Sequence, residues 1–378
     1  MLATPILGAV IILGFISLAI PFLPSFYYNI LNLMLYILIQ IARLCSFLPF
    51  SNIKIITPDI FLVIMYYLII MIFLNYHKLK KYIKKKIILI FLLAIVLIQS
   101  YILIVPSDLK IYFIDVGQGD STLIVTPNKK TILIDGGGSE SKNFDVGNDV
   151  LIPYLLDRKI YKLDYILISH FDTDHVGGIL TVLNELKVGN VIISKQYKDS
   201  ENFAEFKKIV NENNIKVIVV NKGERLRIEK DINIEILWPN NEELLKENSL
   251  NNNSIVCKLN YKSFSMLFTG DIEEIAEKQI LKEYENSLEL LDSTILKVGH
   301  HGSKTSSTQY FIEAVKPDIA LIGVGENNKF DHPNGNVLER LKRYGTKIYR
   351  TDQMGEITLE IDKNGNIKIK KHVKQENV

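Results

Sequence analysis

Ser169-His170-Phe171-Asp172-Thr173-Asp174-His175-Val176-Gly177-Gly178 places two imidazoles and two carboxylates between an apolar run that ends at Ser169 and an amphipathic pattern that starts near Val176. A strand ends there and a helix begins, so four side chains able to bind a metal share one tight turn at a strand's C-terminal end, where α/β sites are built. Nitrogen and carboxylate donors that close together suit a pair of divalent cations. A solvated acidic turn that caps a helix through Asp174 would explain neither histidine. The glycines that follow let the helix pack close to its neighbours.

Outward from this turn, β-branched runs at Lys110–Val116, Ser121–Thr126 and Thr131–Asp135 are separated by Gly117-Gln118-Gly119 and Pro127-Asn128, which reads as an antiparallel meander. Strand-like Tyr165–Ser169, Val191–Ser194 and Lys216–Val220 then alternate with helical Val176–Lys187 and Phe203–Asn213, and further strands run from Asn233 to Phe268. A last round holds helix Glu273–Tyr284, strand Thr294–Val298, helix Gln309–Val315, strand Asp318–Ile322 and helix Asn336–Tyr344. Hairpin sheets interleaved with amphipathic helices predict a layered α/β sandwich. The charged tail after Ile369 is expected to fray.

A second carboxylate follows an apolar strand in Thr269-Gly270-Asp271, with a helix directly after it. Alone, Asp271 reads as an N-cap; beside the first turn it can bridge two cations, one oxygen on each. In Gly299-His300-His301-Gly302-Ser303, adjacent residues at a strand end point to opposite sides, so one histidine faces the metals. His301, whose neighbour Gly302 opens room, is the expected ligand, and His300 the expected second hydrogen-bonding partner. His332, in Asp331-His332-Pro333-Asn334, is expected as a further ligand, the alternative being a loop histidine that lines the cleft.

Residues 1 to 106 contain a single acid, Asp59. Apolar stretches at Pro5–Leu23, Ile60–Leu74 and Ile87–Val105 approach the length needed to cross a bilayer core of about 30 Å. Pro5–Leu23 lacks a basic leader and is followed by further apolar spans, so cleavage as a signal peptide is not expected. Phe26–Phe50 is as apolar but carries Asn29, Asn32, Tyr36, Gln40 and Arg43 on one helical face, which favours the interface over a span packed in a larger bundle. Six lysines between His77 and Lys86 mark that loop as cytoplasmic, so residues beyond Pro106 emerge outside the cell. Two cysteines support neither a disulfide framework nor a cysteine-rich zinc site, and a net charge of +2 gives no global field for a polyanion. The chain therefore divides into a membrane part, 1–106, and a mixed α/β part, 107–378.

The order Leu133-Ile134-Asp135-Gly136-Gly137, then His170-x-Asp172-x-Asp174-His175, then Thr269-Gly270-Asp271 and the later histidines resembles the metallo-β-lactamase superfamily over residues 109–370. Phe113-Ile114-Asp115-Val116-Gly117-Gln118-Gly119-Asp120-Ser121 and Gly299-His300-His301-Gly302-Ser303 are similar to the soluble domain of ComEC-type competence proteins, which import single-stranded DNA. The resemblance implies an αββα sandwich behind an all-α transmembrane segment, the last portion of a longer channel whose other helices and extracellular domain precede Met1. It implies two divalent metals, Mn or Zn, held by His170, Asp172, Asp174, His175, Asp271 and a later histidine, with Asp135 supporting the first turn. It implies metal-dependent hydrolysis of a phosphodiester, the non-imported DNA strand being degraded outside the cell, with Asp174 and Asp271 as catalytic residues, Gln118, Ser303 and Lys304 as phosphate contacts or turn residues, and the membrane, single- or double-stranded DNA, other competence subunits and the rest of the channel as partners. The same residues suit a phosphocholine-type esterase or a DNA-binding part without catalysis. Asp172 stands where the superfamily's commonest turn has a second histidine, and no histidine lies between His175 and His300, the corresponding region being Asn251-Asn252-Asn253-Ser254. Both departures point away from lactam hydrolysis.

Overall fold

The computed structural model describes residues 3–19, 24–48, 54–75, 91, 93, 95, 105–141, 144–196 and 200–372. The chain divides into two compact units, Met1–Ile55 and Ile56–Val378. In the first, helices α1 (Ala3–Ala19) and α2 (Pro24–Ser46) pack against each other, and Ile11, Phe15, Leu33 and Leu44 stay exposed. Among the described residues, α2 is the one helix both long and apolar enough to cross a membrane, although its polar stripe points to the interface in the sequence. α1 is described over 17 residues, with 20–23 outside the described residues, and α3 (Ile60–Leu74), in the second unit, is a helix of 15 residues with the bounds read from the sequence. The lysine-rich loop lies outside the described residues, as does Ile87–Val105 apart from four positions.

The strands of the second unit are β1 (Leu109–Phe113), β2 (Thr122–Val125), β3 (Thr131–Ile134), β4 (Lys162–Leu167), β5 (Lys187–Ser194), β6 (Lys216–Val220), β7 (Arg225–Glu229) and β8 (Ile232–Trp238). They continue with β9 (Val256–Tyr261), β10 (Phe264–Phe268), β11 (Ile295–Lys297), β12 (Ile319–Ile322), β13 (Lys347–Arg350), β14 (Ile357–Ile361) and β15 (Ile367–Lys371). They form one sheet of order β15-β14-β1-β2-β3-β4-β5-β6 and another of order β13-β12-β11-β10-β9-β8-β7. Strands β3 to β6 run parallel, as do β10 to β13, and the remaining pairs are antiparallel.

Period-two alternation puts Leu109, Ile111 and Phe113 of β1 into a core between the sheets, where Ile134, Leu167 and Ile192 meet Ile234, Cys257, Met266 and Leu321. Strand β3, Thr131 followed by three aliphatic residues, is buried on both faces, because its outer face carries Leu133 under Val176, Ile179 and Leu183 of the helix Thr173–Glu185. The outer face of the second sheet is covered likewise by Ala276, Ile280, Phe311, Val337 and Leu341. Helix, sheet, sheet and helix give the expected αββα order.

Two local departures from the sequence reading bear on the site. The helix Thr173–Glu185 starts before Val176, since the Asp172 carbonyl already accepts the N–H groups of His175 and Val176 at 3.0 Å. Asp174 and His175 therefore project from its first turn and not from the loop before it. Strand β15 extends pairing to Lys371, beyond the point where fraying is expected, by pairing with β14. Gly178 meets the expectation of close packing: a Cβ there would collide with the Gly136 carbonyl.

Candidate metal centre

The site is built where parallel strands of both sheets end. Directly after β3, Asp135 takes a left-handed backbone conformation, φ 55°, and turns its carboxylate under the next strand. It accepts the backbone N–H of Ser169 at 2.8 Å, the Ser169 hydroxyl at 2.7 Å and Nδ1–H of His175 at 2.9 Å. His301 sits in a left-handed turn after β11, and its Nδ1 donates to the Gly323 carbonyl at 2.8 Å. A carbonyl only accepts, so the proton of neutral His301 is on Nδ1, and the Asp135 carboxylate fixes the same tautomer in His175.

Both Nε2 lone pairs consequently face the centre, 3.3 Å apart. Asp271, in the turn after β10, lies beneath them, with Oδ1 at 3.2 Å from His175 Nε2 and Oδ2 at 3.3 Å from His301 Nε2. Asp174 Oδ2 is 3.3 Å from His301 Nε2. A tetrahedral ion with bonds of about 2.0–2.1 Å has ligand-to-ligand edges of about 3.3–3.4 Å, so this donor set fits a divalent cation. His175, His301 and Asp271 are buried, and Asp174 is one-third exposed.

The charges call for a cation as well. Asp120, Asp135 and Asp271 are buried with a single permanent counter-charge, Lys297, which ion-pairs Asp120, donates to the Gly270 carbonyl at 2.7 Å and lies 3.4 Å from Asp271. Burial opposes the charge on Lys297, but Asp120 and Asp271 outweigh it and raise its pKa. Without metal, protons take the cation's place. Burial lowers the pKa of His301, but Asp271, Asp120 and a hydrogen bond to Asp174 carry it up to about 10, and Asp271 and Asp135 likewise hold His175 well above its usual value. Asp271, despite burial, is held well below the carboxylate range by His175, His301 and Lys297.

A family model described as the metallo-beta-lactamase superfamily matches residues 114–326, more than half the chain. The chain belongs to that superfamily. It is 33% identical over 262 residues to ComE operon protein 3 of Bacillus subtilis, covering 66% of this chain and 33% of that protein. It is 28% identical over 254 residues to Competence protein ComA of Neisseria gonorrhoeae, covering 66% and 32%. The chain spans about a third of the length of these curated relatives. Among solved structures, Igni18, a metallo hydrolase of the archaeon Ignicoccus hospitalis, aligns with a TM-score of 0.43 at 13% identity, covering 67% of this chain and 100% of that one.

Of the residues singled out in the sequence, the metallo-β-lactamase fold brings His175, Asp174, Asp271 and His301 together, with Asp135 behind His175. His170 is buried next to them, its ring 4.1 Å from that of His175, with Nδ1 on the Ser169 hydroxyl at 3.0 Å and Nε2 without a hydrogen-bond partner. Its nearest carboxylate is Asp172, 3.7 Å away and partly solvent-facing. The alternation argument for the histidine pair does not apply, because both residues are in left-handed turn conformation and not on the strand. His300 Nε2 also points towards Asp271 Oδ2, at 3.8 Å, while its Nδ1 lies 3.5 Å from Glu273. His332 stands one ring further out, packed on His300 and Phe330. Gln118 lines a cleft of about 600 Å³ with Asp172, Asp174, Asp271, His300 and Phe330, and accepts the Gly325 N–H. The Ser303 hydroxyl is bonded to Thr305 in its own turn, and Lys304 is exposed. Asp120 and Lys297 were given no role in the sequence reading; the signals were an acid directly after the glycine turn 117–119 and a lysine that closes an otherwise apolar strand.

Proposed function

We propose that this chain is a membrane-tethered, metal-dependent phosphodiester hydrolase, a DNA nuclease that acts in DNA uptake and degrades the strand that is not imported. The observation that carries the reading is the pair of imidazoles turned lone pair to lone pair above one carboxylate, which only a cation or protons can hold. His175, His301, Asp174 and Asp271 hold one divalent ion, Mn or Zn, and His170 and Asp172 belong to a second position. When bound, such ions supply Lewis-acid charge towards a phosphodiester and make water reactive near neutral pH. Asp135 and the Gly323 carbonyl orient the imidazoles, and Lys297 keeps Asp271 charged and fixed in place.

The competence names of the relatives support DNA as the substrate. The cleft supports a nucleotide chain: half-exposed Phe330, stacked on His332, lines it, and Lys329, ion-paired with Glu140 at 2.6 Å, brings a charge that a phosphate would take over from that carboxylate. Residues 1–106 form the membrane part of a multi-pass protein and 107–378 the hydrolase, on the extracellular side. The rest of a channel or other competence subunits complete the assembly.

The test is cleavage of end-labelled single-stranded and duplex DNA by the full chain in detergent, with manganese, zinc or chelator, beside Asp271→Asn and a phosphocholine ester. Metal-dependent DNA cleavage lost in Asp271→Asn is expected. Turnover of the small ester alone would assign an esterase, and DNA binding without cleavage by metal-loaded protein would leave a transport role.

A further inference from the structure

We propose that Glu277, a buried carboxylate outside the metal-binding set, is a positioning residue for His301: together with Arg340 it clamps residues 306–308, and Ser306 passes that hold to the turn that carries the histidine. This role rests on His301 serving as a metal ligand.

The turn after β11 needs an outside hold. Two successive residues with side chains, His300 (φ 48°) and His301 (φ 53°), take the left-handed backbone conformation there, which an L residue rarely adopts. Ser306, fully buried, reaches back over them. Its hydroxyl lies 2.6 Å from the Gly299 carbonyl and 3.1 Å from the Ser303 carbonyl, so it grips the chain on both sides of the histidine pair. A Cβ on Gly299 would stand 3.4 Å from Ser306 Cβ and 3.2 Å from the Ile272 carbonyl. The serine therefore packs directly on the turn, and the turn on the segment that carries Asp271.

Ser306 is itself held from two sides. Ser307, again left-handed at φ 51°, turns the peptide groups before and after it in the same direction. The N–H groups of Ser307 and Thr308 then point one way, and the Glu277 carboxylate accepts both, that of Thr308 at 2.8 Å. The carbonyls of Ser306 and Ser307 point the other way, and Arg340 donates to them from Nη2 at 2.9 Å and from Nε at 3.0 Å. Two aligned peptide dipoles thus lie between an anion and a cation. Glu277 comes from the helix Glu274–Glu283 and Arg340 from the helix Gly335–Tyr344, both of which pack on the second sheet.

The place of Glu277 in the chain decides what the clamp sets. Its helix follows Asp271 directly, and the same segment is tied to the loop after His301 twice more: Glu274 N–H donates to the Thr305 carbonyl at 2.8 Å, and Glu273 accepts the Thr305 hydroxyl at 2.9 Å. Asp271 and His301 stand at the heads of these two braced segments, with Oδ2 and Nε2 3.3 Å apart. Burial pushes the Glu277 pKa up to about 7, although Thr308, Ser307 and Arg340 favour the charged form. A glutamine would fill the same space with one acceptor oxygen, and its NH2 would face a backbone N–H. A buried donor left without an acceptor is unfavourable, so residues 306–308 would shift and Ser306 would lose its hold on Gly299.

The experiment titrates metal-free full chain in detergent with cobalt(II), read by its visible absorption bands, for the parent, Glu277→Gln, Ser306→Ala and the double variant, with folding checked by circular dichroism. Glu277→Gln is expected to stay folded, to bind cobalt about tenfold more weakly and to alter the bands, because His301 leaves its place beside Asp271. Ser306→Ala, which keeps the carboxylate and both of its N–H partners, should do the same. The double variant should be no worse than either, since both act through one contact. Cobalt affinity within twofold of the parent and an unchanged spectrum in Glu277→Gln, with only a lower melting temperature, would reduce the residue to a helix cap and overturn the role. Additive losses would overturn it too, as would parent-like binding by Ser306→Ala, which decides the matter alone if Glu277→Gln does not fold. A parent chain that takes up no cobalt would remove the metal centre itself, and this role with it.

Discussion

Asp135→Asn tests the tautomer argument on which the centre depends. Oδ1 of Asp135 accepts the Ser169 backbone N–H, which holds the replacement amide with its oxygen in that place. The amide nitrogen then occupies the position of Oδ2, facing the Ser169 hydroxyl and His175 Nδ1. The hydroxyl can rotate to accept, but His175 Nδ1 cannot keep its hydrogen against an N–H donor. Its proton moves to Nε2, 3.2 Å from Asp271 Oδ1 and 3.3 Å from His301 Nε2, and the donor pair closes on itself. Loss of the partner that orients a metal-binding histidine weakens metal affinity about 10–100-fold. That loss corresponds to about 1.4–2.7 kcal/mol. Competition between the full chain and a chromogenic chelator, with zinc and with cobalt, measures it, and the cobalt spectrum reports whether an imidazole has left. Affinity within twofold of the parent chain with an unchanged cobalt spectrum would refute the reasoning, because neither the tautomer nor the ring would then depend on Asp135.

Asp174→Ala and Asp271→Ala should each abolish DNA cleavage while the chain stays folded, and His301→Ala should be far more damaging than His300→Ala; the reverse order in a cleavage assay would exchange their roles. Manganese should support turnover at least as well as zinc, since Asp172, Asp174 and Asp271 make the donor set rich in hard oxygen; activity with zinc alone after reconstitution would count against it. Metal loading at neutral pH should release protons, read by calorimetry in buffers of different ionisation enthalpy, because a cation must displace those held by His175 and His301. The sign for stability follows: folded pKa values above the unfolded value of about 6.5 contribute stability that is complete below that pH and lost as pH rises towards 10. Metal-free protein should therefore melt at lower temperature at pH 9.5 than at pH 7, a loss that metal suppresses; an unchanged melting point would reject the protonated pair.

How far the sequence reaches can be judged residue by residue. The strands β1 to β3 and the helices that cover them were legible because a sheet face and a helix stripe leave periods of two and about 3.6 in the apolar pattern. The short strands β7, β13, β14 and β15 were not: Arg-Leu-Arg-Ile-Glu does alternate, but two apolar positions in five residues are too short a run to set a strand apart from a loop, and neighbours across the sheet decide it. Within the site, the clustered motif 170–175 is local and therefore visible, and the fold adds Asp271 and His301 from the other sheet, and Asp120, to His175 of that motif. What stayed hidden is the pair Asp120 and Lys297, drawn together from 177 positions apart. Neither has a ligand-like spacing, and each taken singly looks like an ordinary turn acid or strand-end lysine.

That hidden pair explains how the fold tolerates so much negative charge before a metal arrives. Three buried carboxylates with no cation would cost several kcal/mol each. Lys297 neutralises one of them permanently, and Asp135 and Asp271 share the two imidazoles, which are protonated when the site holds no metal and neutral when it does. The imidazoles can exchange two protons for one divalent ion without a change of net charge, and Lys297, which no metal displaces, fixes the Asp271 backbone turn through the Gly270 carbonyl in both states. The centre is therefore assembled by folding and charge-balanced before loading, which is why its side chains already stand at metal-ligand edge distances.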